Sequence, residues 1–209
     1  IRLFWKSISQ KFKDHPGVLF YELMNEPWVG DYLKQPELLT DTRTADKENL
    51  FPYYLELVDA IWEGGDNDTV LLFAAVEIGE RLLSNVGFSE GPGCPNKQAL
   101  VVHDYCVFGT DYDGPKTSLQ TSFCNVSHVT LLDKRYDDIL RLKTALFMTE
   151  FGSVSSEQTG LDEIQRVVEN ADRNVIGTPL SWTYWCWDGI KGNNPNYEND
   201  PRWKLLSRT

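Results

Sequence analysis

The sequence predicts an α/β protein built on a parallel sheet. Three observations lead there. Apolar runs alternate along the chain with stretches of helical period. The runs are nearly continuous in hydrophobicity, as strands covered on both faces require. Long polar loops follow several of the run ends. Strands separated by helices join through right-handed crossovers, which makes the neighbouring strands parallel.

The elements follow in order. Phe4, Ile8 and Phe12 recur every four residues, so residues 1–14 are expected to be helical, with His15-Pro16-Gly17 as the stop. Strands are expected near 18–25, 69–76, 99–106, 145–150 and 180–187. Leu50, Tyr54, Leu57 and Ile61 mark a helix with Pro52 in its first turn and Gly64-Gly65 at its end. Leu132, Tyr136, Ile139 and Leu142 mark a second, and Leu161, Ile164, Val168 and Ala171 a third. Loops are expected at 28–47, 77–98, 106–130 and 188–203, on the C-terminal side of the strands. Long loops there are more often binding apparatus than idle connections.

Composition bounds the function. A chain of 209 residues holds one domain's worth of core, and 41% hydrophobic with 24% charged residues describes a folding sequence. The net charge is −11 with no basic stripe, which argues against nucleic acid as a partner. No apolar run approaches the ~18 residues of a membrane span. The chain opens in an apparent helix, Ile1-Arg2-Leu3-Phe4-Trp5, without an initiator Met or signal peptide. It is therefore expected to be a fragment of a longer protein. The four cysteines, Cys94, Cys106, Cys124 and Cys186, allow three connectivities. Cys106 and Cys124 flank a polar loop and suit a bridge. With the acceptor triplets at Asn67 and Asn125, they lean toward a secretory or lysosomal compartment.

Two motifs mislead. Gly87-Phe88-Ser89-Glu90-Gly91 matches the G-x-S-x-G nucleophile elbow, which needs a helix after it. Pro92, Gly93 and Pro95 forbid one, so a serine esterase with His103 or His128 as base is disfavoured. Asp111-Tyr112-Asp113-Gly114 resembles the start of a calcium loop but lacks the remaining ligands. No CxxC, HExxH or GxGxxG occurs, so neither metal nor nucleotide cofactor is expected.

The chemical signal is a pair of carboxylates. Asn25-Glu26-Pro27-Trp28 ends the run Val18–Met24, and Glu150 ends the run Ala145–Thr149 and precedes Phe151-Gly152. Two carboxyl groups at strand tips, one protonated and one ionised, are what glycoside hydrolysis needs. His103-Asp104-Tyr105 and Ser181-Trp182-Thr183-Tyr184-Trp185-Cys186-Trp187 fall at other strand ends. This ordered set resembles glycoside hydrolase family five. Glu22–Tyr32, Asn49–Tyr54 and Gly87–Gly93 are similar to its endoglycoceramidase branch, and the resemblance runs from residue 1 to about residue 190.

The resemblance implies a (β/α)8 TIM barrel, here only as its C-terminal five βα units, with residues 18–26 as strand four. It implies a retaining endo-β-glycosidase that cuts the oligosaccharide–ceramide linkage of glycosphingolipids without a cofactor. Glu26 matches the acid/base and Glu150 the nucleophile. Asn25 matches the residue that binds the sugar 2-hydroxyl, and Tyr105 the tyrosine that holds the nucleophile. His103 matches the histidine of the same motif, and Trp185 the sugar platform. Trp28 and Trp187 are looser candidates for sugar or lipid contact, and the loops 28–47 and 106–130 for contact with a membrane or micelle. The family's arginine on strand one, its His-x-Asp on strand three and the branch's β-sandwich after the barrel have no counterpart in residues 1–209. The isolated chain is accordingly expected to be inactive or unstable. A β-glucanase or glucosylceramidase on the same barrel, and a noncatalytic glycolipid-binding protein, are the rival readings.

Overall fold

The computed structural model describes residues 1–106, 114–152, 154–173, 175, 177, 179–192 and 195–207. Asp111-Tyr112-Asp113, the start of the calcium-like stretch, lies outside them. The chain forms two compact units, Ile1–Val102 with Asp137–Phe147 and His103–Tyr136 with Met148–Thr209.

The first unit carries most of a four-stranded sheet. Its strands β1 (Phe20–Glu22), β2 (Val70–Phe73), β3 (Gln98–Asp104) and β4 (Ala145–Phe151) lie in chain order. β1 pairs β2 in parallel with Tyr21 opposite Leu71, and β2 pairs β3 in parallel with Leu72 opposite Ala99. All seven residues of β3 are buried, so this strand shows no polar alternation. Leu100, Val101 and Val102 are completely covered, and each such side chain stabilises by roughly 1.5–3 kcal/mol. Leu72, Ala74, Ala99 and Val101 form one cluster, with Val70 and Phe147 packed on it.

Helix α1 (Arg2–Phe12) forms where its period placed it. Phe4 is 58% exposed, and the buried residues are Trp5 and Ser9. Ser9 is covered by a close approach to a later helix, Phe51–Glu63. A Cβ on Gly64, at that helix's C-terminus, would lie 1.8 Å from the Ser9 hydroxyl oxygen. Glycine there lets the helices meet along Ser9, while Trp5 reaches the Tyr21 ring at 5.6 Å.

The loop expected at 28–47 is partly helical. A 3-10 turn at Pro36–Leu39 precedes α2 (Thr42–Ala45), which Asp41 caps by accepting from the Thr44 N–H at 3.1 Å. A π-helical turn, Asp46–Leu50, leads into α3 (Phe51–Glu63). Leu50, Tyr54, Leu57 and Ile61 are all buried, as their period demands. The Tyr54 hydroxyl donates to the Ala74 carbonyl at 3.0 Å and accepts from the Ala74 N–H at 3.2 Å, which pins the chain leaving β2. Asp46 accepts from the N–H groups of Val76 and Gly87, both at 2.8 Å. The segment after β2 includes the short α4 (Glu77–Arg81) and a 3-10 turn at Pro95–Lys97.

In the second unit, the loop expected at 106–130 gives way to helix at Ser118. α5 (Ser118–Leu142) is far longer than the period at Leu132–Leu142 suggested. A reciprocal cap starts it: Thr117 Oγ1 accepts from the Gln120 N–H at 3.2 Å, and Gln120 Oε1 accepts from the Thr117 N–H at 3.0 Å. α6 (Gln158–Ala171) buries Ile164, Val168 and Ala171. The strand expected at 180–187 is reduced to two bridges, Met148 with Trp182 and Gly152 with Trp185. They are held by bonds from the Thr183 N–H to the Met148 carbonyl at 3.0 Å and from the Trp185 N–H to the Phe151 carbonyl at 2.8 Å. Gly152 has φ +117°, and a Cβ there would meet the Tyr184 ring at 2.4 Å. Residues 188–203 are likewise not simply loop. α7 (Trp187–Lys191) and α8 (Pro201–Leu206) flank a 3-10 turn at Tyr197–Asn199. Among the described residues, no helix is long and apolar enough to cross a membrane.

Candidate active site

In the first unit, the chain leaving β1 carries Asn25, Glu26 and Trp28, all exposed. Glu26 has φ +42°, a left-handed conformation that costs a non-glycine residue roughly 1–2 kcal/mol. Such strain persists where the surroundings impose it, and it collects at functional sites. Here the surroundings are identifiable. The Pro27 carbonyl accepts from the Glu77 N–H at 2.9 Å. Val29 is fully buried, and its carbonyl accepts from Asn49 Nδ2 at 2.9 Å. The backbone is fastened on both sides of Trp28, whose ring stands out beside Tyr32 at 6.1 Å. Asp31 and Glu77, two further acidic groups of this region, form ion pairs with Lys34 and Arg81.

In the second unit, β3 and β4 bring three of the expected residues together. The Tyr105 hydroxyl donates to Glu150 Oε2 at 3.0 Å. His103 Nδ1 lies 3.5 Å from the same oxygen, and His103 Nε2 is 3.2 Å from Thr149 Oγ1. His103 is 6% exposed and the Glu150 side chain 17%, so the carboxylate is half-enclosed with its direction set by neighbours. Thr149 is itself fixed: its carbonyl accepts from Thr183 Oγ1 at 2.5 Å. Glu150 can therefore present a carboxylate oxygen in one orientation, which a nucleophile or an electrostatic stabiliser needs.

The tryptophans fall into two kinds. Trp185 is 51% exposed beside Gly152, a flat face open to solvent. Trp187, also offered as a contact residue, stacks edge-on with Tyr197 at 5.0 Å and Trp203 at 4.9 Å. Trp182 packs against Phe151 at 5.2 Å. Ser89 is exposed on a segment with no helix after it; the next element is the 3-10 turn at Pro95, so the elbow geometry is not formed.

Sequence reading missed the residues behind this site. Asp104, between His103 and Tyr105, is 2% exposed and bonded through Oδ1 to His128 Nδ1 at 2.6 Å. His128 Nε2 faces Glu163 Oε1 at 2.8 Å, and Glu163 Oε2 accepts from Arg166 Nε at 3.0 Å. Burial opposes a charge on His128, but Asp104 and Glu163 outweigh it and raise its pKa from 6.5 to about 10. Burial alone would push the Glu163 carboxyl up; the bonds and charges of His128 and Arg166 hold it below the usual value. The available signal was the i, i+4 spacing of Cys124 and His128 on what proved to be one helix. Cys106 and Cys124 are joined in a disulfide with Cα atoms 5.3 Å apart, and Cys94 and Cys186 are free. The sulfurs lie near Glu163, but their bond to each other removes them as metal ligands.

Comparison with known proteins identifies the family. The family model for cellulase (glycosyl hydrolase family 5) matches residues 1–191. The chain belongs to glycosyl hydrolase family 5. Within the family it is similar to an endoglycoceramidase of Hydra vulgaris, 30% identical over 190 residues, which cover 91% of this chain and 32% of that protein. An endoglycoceramidase of Cyanea nozakii is 28% identical over 194 residues, again covering 32% of its length. The chain thus spans about a third of these curated relatives. Among solved structures, endo-glycoceramidase II from Rhodococcus sp. superposes with a TM-score of 0.68 at 22% identity, over 87% of this chain and 38% of that one. The family 5 xyloglucanase from Paenibacillus pabuli gives 0.65 at 17% identity, over 98% and 66%. The fold is accordingly of the (β/α)8 barrel class.

Proposed function

We propose that this chain carries the catalytic residues of a retaining endo-β-glycosidase that hydrolyses the bond between oligosaccharide and ceramide in glycosphingolipids. The observation that carries the reading is Glu150 held by Tyr105 at the tip of β4, in a family 5 chain whose curated relatives are endoglycoceramidases.

In this reading a Glu150 oxygen attacks the anomeric carbon while the bond to the ceramide oxygen breaks and Glu26 gives that oxygen its proton. Water then attacks the glycosyl-enzyme, Glu26 takes a proton from it, and the Glu150 carboxylate leaves. Retention requires the two carboxyl groups about 5–5.5 Å apart. Asn25 binds the sugar 2-hydroxyl, Trp185 stacks on the C–H face of a sugar ring, and His103 helps orient Glu150. Trp28, Tyr32 and Leu33, at 45%, 40% and 82% exposure, offer an apolar contact for a lipid chain, micelle or membrane. Trp187 belongs to an aromatic cluster and serves as a looser contact. The Cys106–Cys124 bond supports a secreted or lysosomal setting, since such bonds persist in oxidising compartments.

Incubation of the full-length protein with a ganglioside tests the proposal. Intact oligosaccharide and ceramide are expected as products, and Glu150→Gln should lower kcat on the order of 10⁴-fold while glycolipid binding survives. Unchanged turnover in that variant would sink the assignment. The likeness to a xyloglucanase favours a second reading, action on β-glucans. Cleavage of a glucan with gangliosides left intact would select it.

A further inference from the structure

We propose that Asp104, His128 and Glu163, together with the Cys106–Cys124 disulfide, form a clamp that positions Tyr105 on Glu150. The inference rests on the glycosidase reading above and concerns residues that touch neither sugar nor lipid in it.

Tyr105 is bracketed. The residue before it, Asp104, bonds His128 Nδ1 at 2.6 Å, and the residue after it, Cys106, is covalently joined to Cys124. Cys124 and His128 are four residues apart on α5, which puts both anchors on one face of one helix. Alternation along β3 sends Asp104 to the face opposite His103 and Tyr105. Anchoring residues 104 and 106 to α5 thus leaves residue 105 on the opposite face, and its hydroxyl reaches Glu150 Oε2 at 3.0 Å.

The chain of charges continues through His128 Nε2 to Glu163 on α6, and from Glu163 to Arg166. Both ring nitrogens face carboxylate oxygens, so each must carry a hydrogen and the ring is an imidazolium. Arg166, Glu163, His128 and Asp104 then alternate in sign. Asp104, His128 and Glu163 are 2%, 1% and 6% exposed. Asp104 Oδ2 is buried with no hydrogen-bond partner among the described residues, so His128 is the group that holds this carboxylate. Buried ion chains add little net stability compared with a well-packed apolar core, and their best-attested use is to specify one geometry. The geometry specified here is that of a strand tip with Tyr105 at its end.

The test is a double-mutant cycle in the full-length protein: His128→Gln, Tyr105→Phe and both together, with kcat and KM measured on the substrate that the wild type cleaves. His128→Gln should lower kcat by about 10-fold, no more than Tyr105→Phe does, with KM within about 2-fold, the pattern of a misplaced group rather than lost binding. It should cost nothing further once Tyr105 is Phe, because it acts through the phenol. Wild-type kcat in a folded His128→Gln protein, or full additivity of the two changes, overturns the clamp. If His128→Gln does not fold, the Cys106→Ala/Cys124→Ala pair releases the other side of the bracket and must show the same non-additivity with Tyr105→Phe. If the wild type cleaves no β-glycoside, the glycosidase reading fails separately. Crystal structures of the variants then decide the clamp: a Tyr105–Glu150 distance beyond 3.5 Å supports it, and one unchanged from 3.0 Å refutes it.

Discussion

Glu26 and Glu150 reach their positions by opposite means. Glu26 is exposed and sits on a left-handed backbone fastened at Pro27 and Val29. Glu150 lies in a regular strand, and side chains direct it: Tyr105, His103 and, behind them, Thr149. Glu26 stands on a strained main chain that is fastened beside it, and Glu150 on a regular strand where Tyr105 and His103 meet its carboxylate. The difference suits the proposed roles. An acid/base must pass a proton between a bulky leaving group and water, so access matters most. A nucleophile must meet one carbon along one line, so direction matters most.

Apart from the loss of Glu150 itself, the largest break in this comparison should come at the exposed carboxylate. Glu26→Ala is expected to lower kcat on ceramide-linked substrates by about 10²–10⁴-fold. Glycosides whose leaving group needs no protonation should keep a fast first step, visible as a burst of leaving group. Absence of that burst would remove Glu26 from the acid role. The backbone component can be separated from the chemistry. Glu26→Gly should be more stable to urea than Glu26→Ala by about 1 kcal/mol, because only glycine relieves the left-handed strain.

A smaller effect is expected at the side-chain-directed carboxylate. Tyr105→Phe removes one hydrogen bond to a charged group, worth about 1.5–3 kcal/mol, and should lower kcat by about 10- to 100-fold. An effect below 2-fold would mean that Glu150 needs no help in pointing.

The smallest and most diagnostic effect is on stability against pH. The groups facing His128 are Asp104 from β3 and Glu163 from α6, the latter shared with Arg166. The folded pKa of His128 is raised from 6.5 to about 10, so its contribution is complete below pH 6.5 and fades as pH climbs toward 10. Glu163 is held low, so its contribution is complete above pH 4.5 and fades as pH falls. The Tm gap between wild type and His128→Gln should therefore be widest near pH 5–6 and narrow between pH 7 and 10. A gap independent of pH across that range would mean that His128 is not charged in the fold.

What was legible in the sequence follows from the range of each interaction. The strand runs at 69–76, 99–106 and 145–150 became β2, β3 and β4, because continuous burial leaves a continuous apolar mark. The run at 180–187 was equally apolar yet formed only bridges at Trp182 and Trp185, since ladder pairing depends on a partner's path as well as on hydrophobicity. In α1 the period of Phe4, Ile8 and Phe12 marked the helix, but the residues it buries are Trp5 and Ser9. A single glycine at position 64 decided that Ser9 would meet α3, and nothing local to residues 1–12 records it. The start of α5 was written in Thr117 and Gln120, a capping pair hidden by the polar residues around it.

Sequence alone determined the α/β class, the period of its helices, the chemical types at the strand ends and the family to which they belong, because these depend on local pattern and residue identity. Only the tertiary structure decided which way each carboxylate is aimed and what aims it. Asp104, His128 and Glu163 lie up to 59 positions apart in the chain and become one charged cluster only after β3, α5 and α6 have packed. Hydrogen bonds act over about 3 Å of space, and separation along the chain does not encode that distance.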